Sequence, residues 1–351
     1  MTATSPAEPP APAEQPWSRG AATGVGSLPG TDPLEAARLV VGELPELPHL
    51  PELPERGTAA GRIARGAMLL ADLHVDWQPA GWRLVPRPGT EERRARDLLA
   101  RDLDAFQEVA GDVTGPVKVQ TAGPWTLAAG LELPRGDKVL RDPGAVRDLG
   151  VALAEGLVAH VRDLRRRLAA TTLLVQLDEP ALPRVLAGRL PTASGFGALP
   201  APDEAAAVAR LRDVTDAVTS AGGVPVCSCI GDRPPIDVLA AGGARALAVD
   251  ATALTEADDD AIGRWVEGGG WLLLGLVPPV AADPPASPAT LAEPARARWR
   301  RLGFDPRQLA DVAVATPTAG LAGASPAQAR VAMTAAREVG RVLAEAPEGG
   351  R

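Results

Sequence analysis

The sequence predicts an α/β protein of the (β/α)8 TIM-barrel class, and three observations predict it. From Ala21 onward, short β-branched or apolar runs alternate with longer Ala/Leu/Arg/Glu segments whose apolar residues recur at helical spacing. Eight such runs can be counted, the number a closed parallel barrel with helical crossovers needs. Finally, polar and acidic residues gather at the carboxyl ends of the runs, the end where such barrels build their sites.

Residues 1–19 are rich in Pro, Ala, Ser and Glu, with only Trp17 to bury, which reads as a flexible tail before a single domain over 20–351. The expected strands are Ala22–Ser27, Met68–Leu73, Val117–Thr121, Thr172–Asp178, Val224–Cys229, Ala246–Asp250, Trp271–Leu276 and Val312–Thr316. Val75 to Val85 reads as a hairpin excursion after the second strand, turning at Pro79 to Gly81. Asp142-Pro143 opens a long helix ending near Leu168, and Thr255 caps one running through Val266. Ser325-Pro326 opens the last, to about Ala346.

The chain is long enough, at 351 residues, to bury a large core. Its formal net charge of −8, without a basic block, argues against nucleic-acid binding, and the Arg165 to Arg167 run reads as a solvated helix face. No apolar stretch approaches the ~20 residues that cross a bilayer, and no basic-then-apolar leader is present. The expectation is a cytoplasmic protein with no membrane partner. A reducing compartment keeps the two cysteines, Cys227 and Cys229, as free thiols.

Those cysteines stand two apart on an extended run, so both sulfurs project to one side, a chelating arrangement. Two thiols alone do not complete a four-coordinate zinc site, and a pair of small buried hydrophobes is the plainer reading. Other strand ends carry chemistry as well: Ser27 on the first, Gln120 to Thr126 on the third, Asp178 and Glu179 on the fourth, Asp250 on the sixth. Carboxylates ending apolar strands are costly unless they are used, which marks Asp178 as a candidate functional residue.

In this order the strand ends resemble the C-terminal catalytic barrel of cobalamin-independent methionine synthase, most closely the short single-barrel members. The motifs are Gly26-Ser27-Leu28-Pro29, Gln176 to Ala181, and Pro317 to Ala322, within a resemblance spanning about Thr23 to Ala346. The resemblance implies an S-methyltransferase that passes a methyl group from a methyltetrahydrofolate or a corrinoid to the thiol of homocysteine, giving methionine. It implies Zn2+ as the thiol activator, since a coordinated thiol is deprotonated outright. By position, Ser27 would hold the homocysteine carboxylate and Asp178, the catalytic-site aspartate, its amino group. A family glutamate sharing that task falls at Glu52 or Glu55, with Glu55 favoured by the Pro54-Glu55-Arg56 string.

The implied zinc ligands are Cys227, Cys229 and Asp250, where the family has histidine, cysteine and glutamate. The family's fourth ligand, a cysteine, falls at Ala319, which cannot bind a metal. His74 is an unmatched spare donor. No histidine occupies Gly275 to Pro279, where full-length members carry a proton donor, and Trp125 is the nearest aromatic to their pterin-stacking position. Two alternatives remain: a barrel with an eroded zinc site that binds an amino acid or a partner without methyl transfer, and a uroporphyrinogen decarboxylase-like enzyme.

Overall fold

In a computed structural model, residues 15–345 apart from 232 are described. Two antiparallel strands, β1 (His74–Gln78) and β2 (Gly81–Val85), form the expected hairpin, with Val75 opposite Leu84 and Trp77 edge-on to Trp82. Six parallel strands follow: β3 (Val117–Ala122), β4 (Leu173–Asp178), β5 (Val224–Ser228), β6 (Ala246–Asp250), β7 (Trp271–Val277) and β8 (Ala313–Pro317). They pair in sequence order, curling into a TIM-like half-barrel. Each lies within a residue or so of its sequence prediction, because buried parallel strands are short, mainly apolar runs bounded by turn residues.

The helices are α1 (Pro33–Glu43), α2 (Arg62–Ala67), α3 (Thr90–Ala110), α4 (Pro124–Gly130), α5 (Pro143–Arg167), α6 (Leu182–Leu186), α7 (Glu204–Ser220), α8 (Ile236–Ala241), α9 (Asp259–Glu267), α10 (Pro288–Leu302), α11 (Leu309–Val312) and α12 (Pro326–Ala344). Asp142 caps α5 through the Gly144 and Ala145 amides, and Ser325 with Gln328 closes a capping box on α12. Thr255 and Asp258 form a capping box around a short 3-10 turn ahead of α9. The basic end of α5 is satisfied locally, Arg166 and Arg167 on Asp163 and Arg167 also on Asp104. Among the described residues no helix is long and apolar enough to cross a membrane.

Two predicted strands differ. Ala22–Ser27 is extended but joins its neighbours through single bridges, Ala22 to Ala315 of β8 and Ser27 to Glu52. Met68–Leu73 is not a strand: it is the turn leaving α2, with the Met68 amide bonded to Ala64 and the Ala71 amide to Ala152 of α5. Gly156 permits that approach, since a Cβ there would fall 1.5 Å from the Leu69 carbonyl oxygen. The place between Ser27 and β3 is filled instead by 48–52, bridged through His49 to Lys118. Its amides bond alternately, Leu50 to Lys118 of β3 and Glu52 to Gly26. Pro48 and Pro51 lack amide donors, so from the sequence this segment reads as loop.

The sheet separates two cores. The larger lies between strands and helices; the smaller, including Leu174, Val226, Ala246, Trp271, Leu273 and Val314, lines the concave side. Residues 1–14 of the expected flexible tail lie outside the described residues; of its last five, Trp17 joins this smaller core. Trp17 is only 4% exposed and meets Trp271 edge-on at 5.0 Å, while the Arg245 guanidinium lies 3.9 Å over the other ring. An indole has too much apolar surface to leave in water when a concave sheet end is open to receive it.

Candidate functional site

Strand alternation decides what faces the concave side. On β4 the inward set is Leu174, Gln176 and Asp178; on β5 it is Val226 and Ser228; on β6 it is Ala246, Ala248 and Asp250. The interior therefore runs from apolar at the amino ends to polar at the carboxyl ends. Gln176 Nε2 donates to Asp178 Oδ1 at 2.8 Å and to the Val25 carbonyl at 3.0 Å, and Gln120 Nε2 donates to the Leu50 carbonyl. Lys118 Nζ, fully buried, donates to the Val25 carbonyl at 3.1 Å. Burial lowers its pKa to about 8 against the pull of Asp178 and Glu52.

Ser27, Glu52 and Asp178 are brought to this carboxyl end. Ser27 and Glu52 are joined by their bridge, and a Cβ on Gly320 would sit 2.1 Å from Ser27 Oγ, so glycine is what leaves room for that hydroxyl. Asp178 and Glu52 are 4% and 5% exposed. Burial raises the Asp178 pKa; Arg62 opposes and the negative Glu52 reinforces the shift. Glu52 is backed by Arg65, which is held in turn by Asp102, itself paired with Arg56. Glu52 Oε1 has no hydrogen-bond partner among the described residues. Glu55, the glutamate the sequence favoured, is exposed on the 3-10 turn Pro54–Arg56 and is not gathered with them. Bridge registry, invisible in the sequence, sets Glu52 beside Ser27.

Glu179 points the other way. Its carboxylate accepts from the Trp125 and Thr126 amides and the Thr126 hydroxyl, pinning the start of α4, and burial pushes its pKa up to about 7 against those donors. Trp125 is buried, with Nε1 donating to the Ala207 carbonyl outside the sheet.

The expected zinc ligands do not converge. Cys227 pairs with Leu177 and Leu247 and packs with them in the outer, helix-facing core, and Cys229 is buried in the same cluster. Asp250 leaves β6 toward the concave side, where Thr252 donates to it from amide and hydroxyl at 2.9 and 2.6 Å. The two sets lie on opposite faces of one sheet. One residue of register changes the face of every side chain, and the inward positions on β5 are held by Val226 and Ser228. Among the described residues no three His, Cys, Asp or Glu side chains are grouped to hold a metal. Burial raises both thiol pKa values, that of Cys229 to about 12, so both cysteines are neutral thiols in the unliganded chain. His74 is engaged with Glu92 at 3.2 Å on the hairpin. The residues present do not fit zinc. A cavity of about 480 Å³ lies at the loops after β4 and β5, lined by Pro180, Pro183, Arg184, Arg189, Cys229 and Ile230.

No protein-family model and no curated protein matches the chain. Among solved structures it is similar to a B12-independent methionine synthase from Shewanella sp. W3-18-1, in complex with selenomethionine, at 11% identity and a TM-score of 0.58, over 92% of this chain and 97% of that one. The likeness establishes a related α/β fold. Two further matches, to the Amycolatopsis orientalis BexX/CysO complex (13% identity, TM-score 0.35, over 95% and 96% of the two chains) and a family 20 β-N-acetylglucosaminidase (13%, 0.41, over 92% and 70%), carry no argument.

Proposed function

We propose that the carboxyl end of the sheet binds a free α-amino acid of the methionine and homocysteine class. In this reading Ser27 takes the carboxylate, and Asp178 and Glu52 take the ammonium. The observation that carries it is the pair of nearly buried carboxylates, Asp178 and Glu52: burial, reinforced by the negative Glu52, raises the cost of ionising Asp178 and so favours an added cation beside it. The structural neighbour's selenomethionine complex supports the side-chain class. The bridged segments 22–27 and 48–52 are read as the first two staves of an eight-stave barrel, which puts Ser27 and Glu52 at strand ends like Asp178.

The reaction such a site would serve is transfer of a methyl group to the homocysteine sulfur, supported by the ordered strand-end motifs and the related fold. Methyltetrahydrofolate or a corrinoid is the proposed donor, and the cavity beside Pro180 offers space for a second reactant. Since the described donor set does not fit zinc, no step is routed through a metal; this chain's own contribution is to bind and orient the amino acid. The absence of a basic block leaves small molecules as the proposed partners.

Calorimetric titration with L-methionine and L-homocysteine tests the reading. Wild-type protein should bind one equivalent, and Asp178→Asn should weaken binding at least ~10-fold, the order expected from losing a charge-assisted contact, with unchanged thermal stability of the unliganded chain. No binding by the wild type at millimolar ligand, or equal binding by the variant, would overturn it.

A further inference from the structure

Two arginines three residues apart on α2 are held very differently. Arg65 is buried and locked between Asp102 and Glu52. Arg62 keeps 40% of its side chain exposed, and its only ion pair among the described residues is to Asp178, Nε to Oδ2 at 3.4 Å. That contact lies outside good hydrogen-bond distance for a charged pair. The other Asp178 oxygen is already braced by Gln176, so Oδ2 is the oxygen left for a ligand, and Arg62 covers it.

We propose that Arg62 is a displaceable gate over the ammonium subsite, its guanidinium holding the place that a ligand ammonium takes. This rests on the amino-acid reading above and adds a specificity-determining residue to it. The exchange is balanced in charge: one cation leaves the nearly buried carboxylate as another arrives, so no buried anion is left uncompensated. The departing guanidinium moves toward water that its side chain already reaches. The same logic excludes a ligand without an ammonium group, because removing Arg62 would then strand Asp178. Arg65 cannot play this part, since moving it would break the Asp102 and Glu52 pairs together.

The test measures binding at pH 8 of three probes, L-methionine, 3-(methylthio)propylamine and 4-(methylthio)butanoate, to wild type, Arg62→Met and Arg62→Ala. With the gate removed, the amine should bind about fivefold tighter to both variants than to wild type, the scale of a half-exposed ion pair no longer competed for. The butanoate should bind none of the three proteins. If wild type binds L-methionine while both variants bind the amine equally or more weakly, Arg62 is no gate, although the amino-acid site stands. If none of the folded proteins binds L-methionine or the amine, both the site and its gate are overturned.

Discussion

Replacing Trp17 with alanine asks whether residues 15–19 are tail or core. Nearly complete burial of an indole removes about 200 Å² of mostly apolar surface, worth roughly 5 kcal/mol at ~25 cal/mol per Å². The edge contact with Trp271 adds about 1 kcal/mol. Prior compaction of the unfolded chain takes back roughly a quarter of the total. Trp17 Nε1 has no hydrogen-bond partner among the described residues. Deleting that stranded donor returns about 1 kcal/mol. The balance is a loss of roughly 3 to 4 kcal/mol, within the range for buried Trp→Ala changes. Urea unfolding followed by far-ultraviolet circular dichroism should show a clear fall in midpoint for Trp17→Ala and a much smaller one for Trp17→Phe. A loss below ~1 kcal/mol for Trp17→Ala, a value ordinary for surface positions, would refute the placement of this segment in the concave core.

Three further outcomes follow from buried titratable groups. Glu179 has a folded pKa near 7, above its ordinary 4.5, so its contribution is fully present below about pH 4.5 and is lost as pH rises to 7. The change is up to ~3 kcal/mol, and stability measured across that window should flatten in Glu179→Gln. Lys118 is shifted the other way, to about 8 from 10.5, so the folded chain holds fewer protons in between and stability should rise as pH climbs from 8 to 10.5; Lys118→Met should abolish that rise. Cys227 and Cys229 should resist a thiol-disulfide reagent at pH 8 until the protein is unfolded, when two thiols appear, and added Co2+ should produce no thiolate charge-transfer absorption. Rapid modification of Cys227, or such a band, would refute the burial of the pair against the helices.

The sequence by itself determined the strands β3 to β8, the hairpin, the caps at Asp142, Thr255 and Ser325, and the carboxyl-end location of Ser27 and Asp178. These are local properties: a short, mainly apolar run, a capping oxygen, a proline at a helix start. Only the tertiary structure decided the rest. Segment 48–52 takes its place through two neighbours distant in sequence, and with it Glu52 rather than Glu55 enters the site. Trp17 looked like tail because its partner, Trp271, lies over 250 residues away. The cysteine pair shows the limit most plainly. Alternation puts two residues on the same face, but which face depends on the register of β5 between β4 and β6, fixed by backbone pairing with both neighbours and by what each side must bury.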